Sequence, residues 1–144
     1  ASGQYAQEAY EVFQSIGSEF QQPFPQRILA YSALHMGDAK RARALCLESL
    51  KRNIVLGEGH KVGVLACLML LAEIELAEKN LPQAARLFGF VAAQDTVETI
   101  PFQEPDRRSL ARVQAALQKK KGLRDSQRTG AEMKLEQGIH SLEI

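Results

Sequence analysis

Residues 29–50 read LAYSALHMGDAKRARALCLESL. Before Gly37 the apolar positions Ile28, Leu29, Ala33 and Leu34 recur at helical spacing. After Asp38 the same spacing returns in Ala42, Leu45, Cys46, Ser49 and Leu50. A glycine just past a helix takes the left-handed conformation that ends it. The aspartate that follows is a good N-cap, because its carboxylate accepts a backbone N–H that the helix leaves unpaired. The stretch is therefore a helical hairpin turning at Gly37-Asp38.

The pattern extends in both directions. A first helix is expected from about Gln4 to Ile16, with Tyr5, Ala9, Val12, Phe13 and Ile16 on one face and Gly17 ending it. The helix before the turn starts near Pro25, a favourable first-turn residue. Past the hairpin, a loop with Gly57 and Gly59 leads to a long helix over about His60–Glu78. Another follows over Leu81–Ala93, with Pro82 in its first turn. No convincing alternating strand occurs anywhere.

These helices repeat. GDAKRARALCLESL (37–50) and KNLPQAARLFGFVA (79–92) each follow a helix closely and pair a small inner residue with a larger one four later: Ala42 with Cys46, Ala84 with Phe88. Ala9 with Phe13 matches in the first helix. Leu29-Ala30 and Leu71-Ala72 stand twelve residues before the matched alanines, which are themselves 33 and 42 residues apart. Small residues at these points let antiparallel helices cross closely. The pattern resembles tetratricopeptide repeats, although Trp is absent, Ala39 stands where an aromatic usually follows Gly-Asp, and the closing proline is missing.

The tail adds a second resemblance. QAARLFGFVAAQD (83–95), then TIPFQEPDRRSLARVQAAL (99–117), then GAEMKLEQGIHSL (130–142) follow the order of the C-terminal repeat region in bacterial LuxR-type and SARP-type transcriptional regulators, which join it to a nucleotide-binding ATPase. The final family stretch matches at Gly130, Met133, Leu135, Glu136 and Ile139, with Lys134 and Gly138 departing from it. Taken by itself, the tail reads as a lid. Repeat stacks leave a last apolar face open, and atypical helices close it. A helix over about Pro105–Lys121, with Leu110, Val113, Ala116 and Leu117 on one side, fits that role. Met133, Leu135, Ile139 and Leu142 would fold a short last helix onto it.

The expected fold is all-α: an α-α superhelix of antiparallel tetratricopeptide-like hairpins with C-terminal capping helices. It forms one domain over 1–144, with hairpins in 1–95 and loop and caps in 96–144. The opening ASGQYAQEAY, already helical in pattern, reads as the start of a fragment of a larger protein. Composition agrees with an ordered globular chain, at 45% hydrophobic and 24% charged residues. Cys46 and Cys67 lie in apolar helical stretches, where cysteine acts as a small hydrophobe and expects a raised pKa; a reducing cytoplasmic setting fits. The apolar run Val62–Ala72 is about half a membrane span, and no signal peptide opens the sequence.

Catalysis is not expected, and no cofactor or metal is implied. His35, His60 and His140 fall on different elements without ligand spacing. Glu73, Glu75 and Glu78 read as a solvated charge cluster, and GEGHKVG (57–63) as a hairpin connection without the strand a phosphate loop requires. Binding of a protein or peptide remains. The repeat resemblance implies that Arg27, Tyr31 and His35 line a concave face, with Met69, Glu73 and Leu76 on the next lining helix; inter-repeat packing is the alternative for Tyr31 and Met69. A second class of function rests on charge. The net charge is +1, yet residues 105–130 hold eight lysines and arginines against Asp106 and Asp125. Its candidate patch is Arg107, Arg108, Arg112, Lys119, Lys120 and Lys121. Without interleaved aromatics, a solvated face is the plainer reading and direct nucleic-acid contact the sharper one. A free-standing adaptor, and a homodimer through Tyr5, Val12 and Phe13 of the first helix, complete the expectations.

Overall fold

The structure, a computed structural model, describes residues 7–8, 23–57, 61–94, 102–120, 122 and 124–132. Six helices have defined bounds: α1 Pro23–His35, α2 Ala39–Leu56, α3 Lys61–Ala77, α4 Leu81–Ala92, α5 Glu104–Gln118 and α6 Arg124–Ala131. Among the described residues there is no strand, so the fold is all-α. Gln7 and Glu8 are helical. Tyr5, Val12 and Phe13, and with them the expected dimer face, lie outside the described residues, as does the expected last helix over Met133–Leu142.

The chain forms two compact units, Ala1–Cys67 and Leu68–Ile144, which part within α3. α4 packs extensively against α6 and also against α5, so the second repeat-like helix and the tail belong to one unit.

In the first unit α1 packs along α2. The turn between them forms as expected. Gly37 is left-handed at φ 86°, and the Arg41 backbone N–H donates to Asp38 Oδ1 at 3.1 Å. Ala42, Cys46, Ser49, Leu50 and Asn53 form the buried face of α2, while Leu45 is only half-buried. α3 is of another kind. Every residue from Val64 to Ala72 is buried, which is the mark of a helix enclosed on all sides rather than an amphipathic one. It begins at Lys61, close to the expected start, and Gly63 lies in its first turn. A Cβ there would collide with Asn53 Oδ1; glycine lets α3 approach α2.

In the second unit α4 follows Asn80, its N-cap residue, with Pro82 in its first turn. It buries Ala84, Ala85, Leu87, Phe90 and Val91, whereas Phe88, the expected large inner residue, is half-buried. α5 buries Asp106, Ser109, Val113 and Leu117 and carries Pro105, Glu104 and Asp106 at its start, where proline and negative charge suit a helix N-terminus. α6 was not anticipated as a helix. Its sequence RDSQRTGA lacks an apolar stripe, and it docks by backbone proximity instead. A Cβ on Gly89 of α4 would collide with the Gln127 carbonyl, and one on Gly130 of α6 with the Arg86 carbonyl.

The α1–α2 and α3–α4 turns are built alike. In the first, Gly37 N–H donates to Leu34, Asp38 to Ala33 and Ala42 to Asp38, at 3.0, 2.9 and 3.0 Å. In the second, Lys79 donates to Leu76, Asn80 to Glu75 and Ala84 to Asn80, at 3.0, 2.8 and 3.1 Å. Each residue of the second set stands 42 positions after its counterpart. Lys79 even shares the left-handed backbone, at φ 63°.

Candidate functional site

The residues expected to line a concave face differ in exposure. Arg27 and Tyr31 are each 5% exposed and Met69 is fully buried, so these side chains pack in the interior. His35, at the end of α1, is exposed, and its ring centroid lies 6.5 Å from that of Tyr31. Leu76 is half-buried.

Glu73 is engaged rather than solvated. Its Oε2 accepts from Arg112 Nε at 2.7 Å, and its Oε1 accepts from the same guanidinium at 2.8 Å and from Ser109 Oγ at 2.8 Å. The Glu73 side chain is 12% exposed and that of Arg112 41%. This two-pronged pair with a hydroxyl beside it fastens α3 to α5 and takes two residues from the candidate sets at once. Of its former cluster companions, Glu75 is buried and Glu78 exposed.

The basic segment divides accordingly. Arg112 belongs to Glu73, and Arg108 pairs with Glu104 one turn earlier at 3.1 Å. Arg107, Lys119 and Lys120 are exposed, and Lys121 lies outside the described residues. Beyond them, α6 contributes Arg124 and Arg128, also exposed. These two sit four residues apart and so on one side of the helix.

Two further features were not anticipated. An open depression of about 350 Å³ lies against Glu48, Lys51, Arg52, Val55 and Leu56 of α2, with Val55 84% exposed. The run Asn53-Ile54-Val55-Leu56 could have signalled it, since it continues apolar residues past the buried stripe. The second is a buried seam between α2 and the start of α3. Cys46 Sγ donates to the Cys67 carbonyl at 3.2 Å, Cys67 Sγ to Ser49 Oγ at 3.4 Å, and Asn53 Nδ2 to the Ser49 carbonyl at 2.9 Å. Burial pushes the Cys46 thiol well above its ordinary value, helped by its bond to Cys67 and opposed by the positive charges of Arg27 and Arg43. Such a thiol stays protonated and is a poor nucleophile.

Among the described residues no three His, Cys, Asp or Glu side chains gather as a metal would require, and no helix is long and apolar enough to cross a membrane. No protein-family model matches the chain, and neither a curated protein nor a solved structure does.

Proposed function

We propose that this chain is a protein-interaction or signal-sensing module of tetratricopeptide-like hairpins, serving a multidomain bacterial transcriptional regulator of the LuxR or SARP type. The observation that carries the repeat reading is the pair of equivalent turns, made by the same backbone hydrogen bonds at a constant offset of 42 residues. Leu29-Ala30 and Leu71-Ala72, separated by that same offset, are buried, as are Ala42 and Ala84. Repeated hairpins act by presenting surface, and the interior positions serve spacing rather than chemistry. In the proposed regulator the module receives a protein or peptide effector, or holds the ATPase inactive until one arrives.

The gene context tests this directly. Reading the coding sequence on either side of this segment is expected to show a nucleotide-binding ATPase and a DNA-binding domain in the same frame. A frame encoding neither sinks the regulator reading and leaves an adaptor whose partners a pull-down would identify.

A further inference from the structure

Lys119, Lys120, Arg124 and Arg128 of the basic segment follow one another closely across the α5–α6 connection. Lys119 caps the C-terminus of α5, Lys120 follows, Gly122 turns the chain with a left-handed backbone at φ 86°, and α6 then begins at Arg124. Lys120 and Arg124 are four residues apart, so their Cα atoms stand within roughly 14 Å. Arg128 lies one helical turn beyond Arg124. All four of Lys119, Lys120, Arg124 and Arg128 are exposed, and none has a carboxylate partner among the described residues. The backbone that carries Arg124 and Arg128 is held against α4 through the close approaches at Gly89 and Gly130.

The surroundings narrow the ligand. The exposed large apolar side chains of the described residues are Met36, Ile54 and Val55. None belongs to the described part of α5 or α6. No aromatic residue interrupts the segment 119–128 to stack on bases. The whole chain carries a net charge of only +1 with a pI near 8.0. An extended duplex would meet little net attraction beyond these four residues, since nucleic-acid-binding domains are typically far more basic. A short anionic segment needs only the local cluster.

We propose that the α5–α6 corner formed by Lys119, Lys120, Arg124 and Arg128 docks a short protein segment rich in Asp and Glu. This gives a chemistry to the partner in the interaction-module reading and rests on it only for the partner being a protein. The assay below concerns the chain itself, so its failure is distinct from failure of the gene-context test.

The experiment measures fluorescence anisotropy of a labelled glutamate-rich decapeptide against the full chain at 50 mM NaCl. Two variants are compared, each removing four exposed positive charges: K119Q/K120Q/R124Q/R128Q at the corner, and K40Q/R41Q/K51Q/K61Q elsewhere. The corner variant is expected to bind at least about tenfold more weakly and to lose much of its salt dependence, while the control changes by less than about twofold. If the corner variant loses its helical circular dichroism, K119Q/K120Q replaces it, with a loss of at least about threefold expected. Absence of peptide binding by the unaltered chain overturns the proposal. Equal losses in the two variants do so as well, as does tighter binding of a 20-base-pair duplex or of phosphatidylserine vesicles.

Discussion

Lys79 and Gly37 occupy the same place in equivalent turns, and both are left-handed. For a residue with a Cβ that conformation costs about 1–2 kcal/mol, which glycine avoids at some expense of unfolded-state freedom. Lys79→Gly is therefore expected to stabilise the protein by about 0.5–1 kcal/mol. Gly37→Ala, in open space but with the wrong backbone, should destabilise it by about 1 kcal/mol. Urea midpoints of the two variants check both signs, and a Lys79→Gly variant no more stable than the parent contradicts the first. Cys46 makes a different prediction. Its folded thiol keeps the proton above the ordinary value of 9.0, whereas the unfolded thiol releases it there. Stability from this group is thus fully present below about pH 9 and falls as pH rises beyond, by up to about 1.4 kcal/mol per pH unit. The difference in urea midpoint between the protein and Cys46→Ala should narrow between pH 8 and pH 10.5; a constant difference would show that burial does not retain the proton.

At the scale of elements, two contacts hold the second unit by different physics. The α4–α6 crossing depends on missing side chains. A methyl at Gly130 would meet the Arg86 carbonyl, which belongs to a helix backbone and cannot swing aside. Gly130→Ala should cost about 2–3 kcal/mol, the upper range for overpacking, and Gly89→Ala a similar amount. Chemical denaturation measures this, and a cost within 0.5 kcal/mol of zero would deny the close crossing. The α3–α5 tie depends on charge-assisted bonds. Because Arg112 is partly solvated, Glu73→Ala is expected to cost only about 1–2 kcal/mol. A double-mutant cycle with Arg112→Ala should return a coupling of at least about 0.5 kcal/mol; additivity would mean that the pair contributes nothing to stability.

For the molecule as a whole, the continuous burial of Val64–Ala72 marks the segment that opens last. Amide exchange is slowest where opening requires global unfolding. Backbone amides of this segment should therefore exchange more slowly than those of α6, an eight-residue helix without an apolar stripe. Comparable rates would place the stable core elsewhere. This same segment contains the boundary between the two compact units, so both draw part of their interior from one helix.

The sequence by itself determined the helices and their turns. Spacing of apolar residues, a glycine past a helix end and a capping aspartate are local signals, and they located α1 through α5 to within a few residues. The interior positions of Ala42, Cys46 and Leu50 followed from the same periodicity. The roles of Glu73, Arg112, Gly89 and Gly130 depend on tertiary packing. Glu73 and Arg112 stand 39 residues apart, and neither composition nor period says that they meet. α6 escaped the sequence because it packs with backbone instead of an apolar face, leaving no periodic trace. For Arg27, Tyr31 and Met69 the repeat resemblance implied a lining place, with packing the alternative for the last two, and all three are buried. The basic segment likewise became a corner only after ion pairing had claimed Arg108 and Arg112. A side chain's availability depends on its neighbours in space, and those are set by long-range packing that local patterns do not encode.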